Sequence, residues 1–512
     1  MLLGVTSSYS RSAPVQFQPM KSLTDHASWQ RLTAHYQTIK DRSISDLFTD
    51  HNGRFDHFSI AAPGLFCDYA KNHIDQTTLS LLSELADDCD LSSAIDRLFA
   101  GDIVNATEQR AAWHTALRDP APNTEIQNAQ AKMQQLATDI AGQGYTDILH
   151  VGIGGSYLGP AVVHDAFSAI QAPQLRCHFI TDENEQALQQ LLSRLDPTKT
   201  LMIVVSKSFS TAETMVNAKR ILPWLQASSS DALEKQLFAV TMNDQAAKAF
   251  GVAKAHVFPM WDWVGGRFSL WSTVSLSLVL AFGWDLFSAL LSGAHAMDQH
   301  FRTQSWTQNL PVILALIAIW YRNFFKAQTQ AMIPYHAALR NLPGHLQQLH
   351  MESLGKRVTQ SGAAMDYDTG AVIWGGVGPS SQHSFHQLLL QGNTCVPIDF
   401  MVTQEDHLPY INCLAQAAAM MQGDQSLPAH QRISGNVPST MLVMKTMNAN
   451  SLGALLAMYE HKIFVQSVIW DIDAFDQWGV ESGKRLAKRL LSNDFEDSVD
   501  ASTMGLLKGV TQ

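Results

Sequence analysis

Cysteine is scarce in this 512-residue chain, and the cysteines that occur form no pattern. The five are Cys67, Cys89, Cys177, Cys395 and Cys413. Their odd number, their scatter and the lack of any CxxC or Cys/His spacing argue against a disulfide framework and a structural zinc site. Small buried apolar side chains in a reducing compartment are the typical interpretation, so we expect a cytoplasmic protein.

Long hydrophobic runs and an excess of positive charge are also missing. The most apolar runs, 310–319 and 275–282, fall short of the roughly 20 residues that a membrane-spanning helix needs. Residues 1–14 have no apolar stretch after a basic start, which predicts no secretory signal. The 35 basic and 46 acidic residues give a net charge of −11, with no basic stripe. We therefore expect neither a membrane nor nucleic acid as a partner.

The chain does contain enough apolar material for more than one core. Hydrophobic residues make up 46% and charged residues 16% of the sequence, a balance typical of globular proteins. A single core rarely grows beyond about 250–300 residues, so two domains are expected. Residues 1–120 show little βα alternation and are predicted to be mainly helical, with one helix over 77–99.

Beyond residue 120, short apolar runs alternate with amphipathic segments. Strands are predicted over 147–153, 177–181, 201–206 and 237–241, with a helix over 159–170 and another after 206. A mainly helical stretch follows over 270–338, in which Pro311 and Pro334 are each predicted to begin a helix. Further strands are predicted over 371–374, 396–402 and 463–470, before a helical end from 476. This alternation predicts an α/β fold with parallel sheets.

A strand-to-helix turn rich in hydroxyl groups is the first candidate binding site. Segment 206–214, SKSFSTAET, holds five hydroxyl residues and a lysine. The spacing of Ser210 and Glu213 fits a capping box, which predicts that the helix begins near Ser210. Free amides at a helix start, with hydroxyl donors and Lys207, suit a phosphate. A helix that is merely well capped explains this segment equally well on its own.

A glycine-rich turn follows the strand predicted over 147–153. Segment 152–160 reads GIGGSYLGP, and the third glycine of a dinucleotide GxGxxG motif is replaced by Tyr157. Gly155 and Ser156 suit close backbone approach to a sugar or a single phosphate. Asp182 and Glu183, after the next strand, are placed to hold a ribose, so a dehydrogenase remains the weaker alternative.

Two pairs of polar residues fall on shared helix faces. Gln348 and Glu352 are four residues apart, and Gln477 and Lys484 are seven apart. Gly479 and Gly483 leave the second helix thin, which would let another group approach closely. Taken singly, Glu352 and Lys484 are typical of solvated surface residues.

Two further charged or titratable residues lie among glycines. Arg267, in WDWVGGRFSLW, has an apolar neighbourhood that suits a buried partner or an anion. His383 follows the glycine- and serine-rich stretch GGVGPSSQ. Each also has an ordinary structural explanation, as a paired arginine or a loop histidine.

Together these segments resemble the glucose-6-phosphate isomerase (phosphoglucose isomerase) family. The matching stretches are GIGGSYLGP at 152–160, SKSFSTAET at 206–214, FPMWDWVGGRFSLW at 258–271, HMESLGK at 350–356, QHSFHQLLLQG at 382–392 and YEHKIFVQSVIWDIDAFDQWGVESGK at 459–484. Residues 101–118 are more weakly similar. The similarity follows the family's order over nearly the whole chain.

The resemblance implies an enzyme that reversibly converts glucose 6-phosphate to fructose 6-phosphate, through ring opening and a cis-enediol, in glycolysis and gluconeogenesis. It implies two sugar-isomerase (SIS) α-β-α sandwich domains, at 121–285 with the phosphate site and at 286–512 with C-terminal helices. The helical segment 1–120 would pack on the large domain. It further implies a homodimer with no metal and no cofactor.

The resemblance also assigns residue roles. Glu352 would move a proton between C2 and C1, and Arg267 would stabilise the enediolate. His383, donated by the neighbouring subunit, and Lys484 would serve ring opening. The sugar phosphate would contact a larger set: Ser206, Lys207, Ser208 and Thr211 at the phosphate, helped by Gly155 and Ser156, with Gln348 and Gln477 along the sugar.

Several positions depart from the family pattern. The family usually has Thr at 208 and 210, where this chain has Ser and keeps the hydroxyl. Positions 354, 376 and 482, usually Asn, Glu and Leu, are Leu, Gly and Ser here, and the loop PGTNGQH reads VGPSSQH.

Two alternatives from other functional classes use the same domains. A non-catalytic sugar-phosphate sensor would have no reason to keep Glu352, His383, Arg267 and Lys484 together. An amidotransferase-type synthase of amino sugars would need an N-terminal catalytic cysteine, whereas the first cysteine is Cys67.

Overall fold

The protein is described by a computed structural model that covers residues 22–227, 229–492 and 499–510. The predicted absence of a secretory signal concerns residues 1–14, which lie outside the described residues.

The strands form two separate sheets. They are β1 (Ser59–Ala62), β2 (Leu65–Asp68), β3 (Asp147–Val151), β4 (Arg176–Ile180), β5 (Thr200–Val205), β6 (Leu237–Thr241), β7 (Val257–Pro259), β8 (Thr329–Pro334), β9 (Val372–Gly375), β10 (Ile398–Thr403) and β11 (Ser439–Met444). One sheet has five parallel strands in the order β4-β3-β5-β6-β7. The other has six strands in the order β1-β2-β11-β10-β8-β9, parallel except for the β1–β2 hairpin and its pairing with β11.

Helices cover both sheets and join them. They are α1 (Ala27–Ile39), α2 (Ile44–Asp50), α3 (Arg54–His57), α4 (Gln76–Asp88), α5 (Leu91–Ala100), α6 (Thr124–Ile140), α7 (Leu158–Ile170), α8 (Glu185–Leu192), α9 (Ala212–Gln226), α10 (Ala232–Gln236), α11 (Asp244–Ala249), α12 (Leu276–Phe282), α13 (Trp284–Thr303), α14 (Leu310–Asn323), α15 (Leu342–Gln347), α16 (Gly378–Ser381), α17 (His386–Gln391), α18 (His407–Gln422), α19 (Ala449–Ile469), α20 (Trp478–Leu491) and α21 (Ala501–Val510).

Short 3-10 turns and one π-helical segment complete the backbone. The 3-10 turns are Leu23–Asp25, His114–Arg118, Gly154–Ser156, Pro197–Lys199, Lys254–His256, Gly266–Trp271, Thr273–Ser275, Trp306–Gln308, Ala337–Leu339 and Ala429–Gln431. The π-helical segment is Gln348–Glu352, which follows α15 directly.

The predicted α/β fold with parallel sheets is confirmed. The strand predicted over 237–241 is β6, and those predicted over 147–153, 177–181 and 201–206 correspond to β3, β4 and β5. Every side chain of β5 is buried, as expected of a central strand covered on both faces. The runs at 371–374 and 396–402 correspond to β9 and β10.

Three local predictions are wrong. The run 463–470, predicted as a strand, is the end of α19, a helix buried around nearly its whole circumference; periodicity cannot separate such a helix from a buried strand. The helix predicted over 77–99 is divided into α4 and α5 at Asp90, whose φ of 51° is left-handed. Pro311 does begin α14, but Pro334 ends β8 instead of beginning a helix.

Sequence patterns also missed the hairpin of β1 and β2 within segment 1–120. Strand β2 pairs antiparallel with β11, so this hairpin extends the second sheet. Strand β8 lies within the stretch expected to be helical, and β11 had not been recognised. Four-residue strands such as β1 and β2 are too short to show an alternating pattern.

Helices α13 and α19 pack face to face in the core between the sheets. Their axes approach closely because small residues lie at the contact. A Cβ on Gly293 would overlap the backbone of Asn450, and one on Gly453 would overlap the carbonyl of Leu290. These contacts fix the first turns of α19 against α13.

Candidate active site

A cleft of about 890 Å³ lies at the carboxyl ends of β3 and β5. Ligands of open α/β sheets bind at this edge. Eight of the predicted site residues line it: Gly155, Ser156, Ser206, Lys207, Ser208, Thr211, Gln477 and Lys484. A second cavity of about 370 Å³ contains Glu352, and Gln477 lines both cavities.

The serine-rich turn between β5 and α9 forms one wall of the cleft. Ser206 Oγ lies 3.1 Å from Thr211 Oγ1, and Ser210 Oγ donates to Ser208 Oγ at 2.7 Å. The predicted capping box is not formed, because α9 begins at Ala212 with Thr211 as its N-cap, so Ser210 lies one residue before the cap position. Thr211 makes no side-chain cap bond, so first-turn amides of α9 remain available to a ligand.

Phe209 closes this turn. Its φ of 54° is left-handed, a conformation that costs a bulky residue roughly 1–3 kcal/mol. Its ring is buried and packs edge-on against Phe250, with centroids 5.7 Å apart. Core packing of the Phe209 ring therefore stabilises this strained backbone conformation, which directs the flanking hydroxyl groups towards the cleft.

Lys207 is a cation held by backbone carbonyls. Its Nζ donates to the carbonyl oxygens of Asp262 and Val264, each at 2.9 Å. Burial, together with the nearby guanidinium of Arg110, lowers the pKa of Lys207 to about 8. An ammonium has three N–H groups, so one remains for a ligand in the cleft.

The glycine-rich loop lies directly against the segment that carries Arg267. A Cβ on Gly155 would overlap the carbonyl of Gly266 and lie 2.7 Å from the Arg267 nitrogen, so only glycine fits. Gly154 has a left-handed φ of 58°. Gln348 lies beside it, with Nε2 3.2 Å from where a Cβ of Gly154 would be. Within the described chain Gln348 Oε1 is buried without a hydrogen-bond partner.

Arg267 is buried, and all three of its nitrogens donate hydrogen bonds. Nε donates to Ser353 Oγ at 2.6 Å, and Nη1 donates to Glu352 Oε1 at 3.2 Å and to Gln477 Oε1 at 3.0 Å. Nη2 donates to the carbonyls of Ala474 and Asp476. Burial lowers the pKa of Arg267, whereas the carboxylates of Glu352 and Asp476 oppose that shift. The side chain is therefore a fixed cation in a site of low dielectric.

Glu352 ends the π-helical segment Gln348–Glu352. Its side chain is 23% exposed and lines the second cavity, so the carboxylate contacts both Arg267 and open space. π-Helical turns are rare and occur often at functional sites. The arrangement provides a carboxylate base beside a buried cation, which suits removal of a proton next to a carbonyl group.

Gln477, directly before α20, and Lys484, in the middle of that helix, both line the cleft. Gln477 precedes the helix and accepts from Arg267, whereas Lys484 is exposed and pairs with Glu481 at 2.8 Å. Cβ positions built on Gly479 and Gly483 have no described atom within 4 Å. The two glycines were expected to let another group approach α20 closely, but no other part of the described chain does so.

His383 is not brought to the cleft by its own chain. It follows α16 on an exposed loop, and only its backbone amide is tied down, to the carbonyl of Ser380 at 3.1 Å. It lines neither of the two cavities described above. The divergent loop 376–381 thus folds into a short helix that keeps His383 on the surface.

Sequence patterns missed several residues of the site. Asn105, Glu108 and Arg110 line the cleft, and the weak similarity at 101–118 was the one signal for them. Ser353 and Lys356 lie within the motif HMESLGK, in which no sequence pattern marks either residue. Ser353 contacts Arg267 and Lys356 contacts Asp476, and both contacts join residues that are distant in sequence.

Neither a metal centre nor a membrane span is formed by the described residues. Within ranges 22–227, 229–492 and 499–510, His, Cys, Asp and Glu side chains form no group of three suited to a metal ion. Over the same ranges, each helix is too short or too polar to cross a bilayer.

Known proteins resemble this chain over most of its length. The profile of the phosphoglucose isomerase family matches residues 68–507. The glucose-6-phosphate isomerase of Pseudomonas fluorescens (strain Pf0-1) is 44% identical over 94% of this chain and 96% of its own. That of Coxiella burnetii (strain RSA 493 / Nine Mile phase I) is 41% identical over 96% of this chain and 98% of its own.

A solved structure agrees with these relatives. The crystal structure of a glucose-6-phosphate isomerase from Chlamydia trachomatis D/UW-3/Cx superposes with a TM-score of 0.88 at 30% identity, covering 96% of this chain and 100% of that one. The resemblance inferred from the sequence motifs is confirmed. The chain therefore belongs to the phosphoglucose isomerase family.

Proposed function

We propose that glucose 6-phosphate and fructose 6-phosphate are interconverted, as in glycolysis and gluconeogenesis, in the cleft at the serine-rich turn together with the second cavity, which contains Glu352 and shares Gln477 with the cleft. The observation that carries this proposal is the contact between the Glu352 carboxylate and the buried Arg267 guanidinium, 3.2 Å apart, close to a turn suited to phosphate. The enzyme is an aldose–ketose isomerase, and hydrogen moves within one substrate, so the chemistry needs no redox cofactor.

The phosphate binds at the turn between β5 and α9. The hydroxyls of Ser206, Ser208 and Thr211 donate to its oxygens, together with first-turn amides of α9. Lys207 adds charge from one side. Gly155 and Ser156 face the turn across the cleft. Binding energy gained here, far from C1 and C2, aligns the sugar for reaction.

Proton transfer takes place at the other end of the sugar. Glu352 removes the proton from C2 of the open-chain aldose, and the electron pair moves to O1 to form an enediolate. Arg267 stabilises that negative charge, a contribution that is often the largest in such reactions. A proton then passes from O2 to O1, and Glu352 returns its own proton to C1, which gives the ketose.

Ring opening comes first and needs a proton to move from the O1 hydroxyl to the ring oxygen. Lys484 and His383 serve this step, while Gln348 and Gln477 hold the sugar hydroxyls. The unpaired Oε1 of Gln348 supports its part, because a buried acceptor without a donor is costly. The exposure of His383 on its own chain supports donation from the partner subunit of a homodimer.

Domain limits and location complete the proposal. The two sheets support SIS domains at 121–285 and 286–512, with segment 1–120 packed on the large domain. All five cysteines are free, which suits a reducing compartment and supports the cytoplasm. Neither nucleic acid nor a membrane is part of the proposed function.

The direct test is a coupled assay that follows glucose 6-phosphate formed from fructose 6-phosphate. We expect turnover that a metal chelator leaves unchanged, and the mannose substrate run in parallel measures specificity for glucose. Absence of turnover in well-folded protein would contradict the proposal. Binding without turnover would instead favour the sugar-phosphate sensor.

A further inference from the structure

Two carbonyl groups that hold Arg267 come from an irregular segment between α19 and α20. The carbonyls of Ala474 and Asp476 both accept from Nη2 of Arg267, and Gln477 accepts from Nη1. Within the described residues this stretch, 473–477, belongs to no helix or strand. The Phe475 amide donates to Asp473 Oδ1 at 2.9 Å inside it, and the buried Phe475 ring packs against Phe268. Polar side chains from other elements also contact it and help to fix its position.

Lys356 holds this segment from one side. Its Nζ donates to the carbonyl oxygen of Asp476 at 2.9 Å and also forms an ion pair with the Asp476 carboxylate. The carbonyl oxygen of Asp476 thus accepts hydrogen bonds from both Arg267 and Lys356. The two side chains are only 17% and 6% exposed, so this ion pair is weakly screened by solvent.

Thr107 is the second residue that holds this segment. Its hydroxyl donates to Asp476 Oδ2 at 2.5 Å, and its backbone amide donates to Asp473 Oδ2 at 3.1 Å. Every oxygen of Asp476 is therefore engaged. The serine-rich turn that binds phosphate has no part in these contacts, since it is built on β5 and α9.

We propose that Asp476, fixed by Lys356 and Thr107, is a positioning residue that sets the geometry between Arg267 and Glu352. The inference rests on the proposed function of that pair. Nη1 and Nη2 belong to one rigid plane, so a shift of the Asp476 carbonyl also moves the bond from Nη1 to Glu352. Misplacement of a reacting group by about 1 Å can cost ~100-fold in rate.

The test compares Lys356→Met with Lys356→Arg and with a matched control. Met keeps the length of the side chain and removes the charge, whereas Arg restores donors to both oxygens of Asp476. The control is Lys71→Met, because Lys71 pairs with Asp68 at 3.1 Å with similar exposure, 21% and 11%, outside the cleft. We would measure kcat and KM for fructose 6-phosphate, the inhibition constant of inorganic phosphate, and Tm.

We expect Lys356→Met to lower kcat by up to ~100-fold while KM and the phosphate inhibition constant change less than about twofold. Lys356→Arg should recover most of the lost kcat, and Lys71→Met should keep kcat despite a similar fall in Tm. An unchanged kcat in Lys356→Met, or no recovery in Lys356→Arg, overturns the proposal.

Thr107→Val tests the same proposal if Lys356→Met does not fold. Thr107 is exposed, so its substitution does not disturb the core. The variant removes the hydrogen bond to Asp476 and also the one that Thr107 Oγ1 accepts from Trp478 Nε1 at 3.1 Å. We expect kcat to fall by roughly fivefold with KM unchanged. An unchanged kcat overturns the inference. Wild-type protein without isomerase activity would instead overturn the proposed function, so the two failures are distinguishable.

Discussion

Lys207 and Arg267 are cations held in the same way for different tasks. Both donate hydrogen bonds to backbone carbonyls, which carry no formal charge. Arg267 differs from Lys207 because it also contacts the carboxylate of Glu352. A guanidinium stays charged at any ordinary pH, whereas a buried ammonium does not.

The lowered pKa of Lys207 predicts a pH-dependent affinity for substrate. Because that pKa is about 8, the cation near the phosphate is lost as the pH rises through about 8. We expect KM for fructose 6-phosphate to rise above pH 8 in the wild type. Lys207→Ala should raise KM more than it lowers kcat, and should flatten this rise.

Lys248→Ala is the matched control, because Lys248 is exposed on α11. It should leave KM and its pH profile unchanged. A fall in kcat alone in Lys207→Ala would show that the phosphate role of Lys207 is wrong.

At the scale of elements, the contact between the glycine-rich loop and the segment Gly266–Trp271 fixes the distance between phosphate site and cation. Gly155 is the residue on which this contact depends. Gly155→Ala forces the backbone of one segment away from the other, at a cost of roughly 1–3 kcal/mol. We expect a lower Tm together with reduced kcat/KM.

Gly344→Ala serves as the control, since a Cβ there meets nothing within 4 Å. Alanine in α15 should leave activity unchanged and should, if anything, raise stability by up to ~1 kcal/mol. Equal Tm and activity for both variants would contradict the close contact.

The elements that sequence patterns predicted are those with strong local signals. Strands β3 to β6 are short apolar runs bounded by polar turns, and their positions were predicted to within a few residues. Helix α19 failed as a prediction because burial on nearly all sides removes the amphipathic period. Hairpin β1–β2 failed because its pairing with β11 lies hundreds of residues away.

The residues of the candidate site likewise fall into those with a local sequence signal and those without one. Segment 206–214 was identified from its own residues, although the N-cap of α9 is Thr211 and not Ser210. The pairing of Glu352 with Arg267, 85 positions apart in sequence, has no local signal. Their roles came from the resemblance alone and stay predictions.

At the scale of the whole molecule, a buried ionic network joins distant parts of the chain. Arg118 donates to both carboxylate oxygens of Asp298, at 2.8 and 2.7 Å, and to Glu460 at 2.5 Å. Glu460 also accepts from Trp271 Nε1 at 2.8 Å. The network therefore ties the segment before α6 to α13 and α19, and to the stretch that begins at Arg267.

Loss of Arg118 should be severe because it removes the cation that two buried carboxylates, Asp298 and Glu460, share. We expect Arg118→Met to destabilise the fold by roughly 3–5 kcal/mol, measured by denaturant unfolding. Arg31→Met, at a pair with Glu84 that is about half exposed, should cost less than about 1 kcal/mol. Similar costs for the two variants would contradict the importance of burial.

The proposed donation of His383 across a dimer predicts complementation between inactive chains. In a mixture of Glu352→Gln and His383→Ala chains, each mixed dimer has one site with both native residues. Random mixing of a two-fold dimer then gives activity in about a quarter of all sites. Activity no higher than in the separate variants would show that His383 acts within its own chain.

The central claim is that Glu352 moves the proton between C2 and C1 while the phosphate is held elsewhere. Its most direct test measures Glu352→Gln for turnover and, by calorimetry in the same preparation, for binding of fructose 6-phosphate. Gln keeps an oxygen that can accept from Arg267, so the site should stay assembled. We predict that kcat falls by about 10²- to 10⁴-fold or more, with a Kd close to that of the wild type. Near-normal turnover in this variant would contradict the assignment.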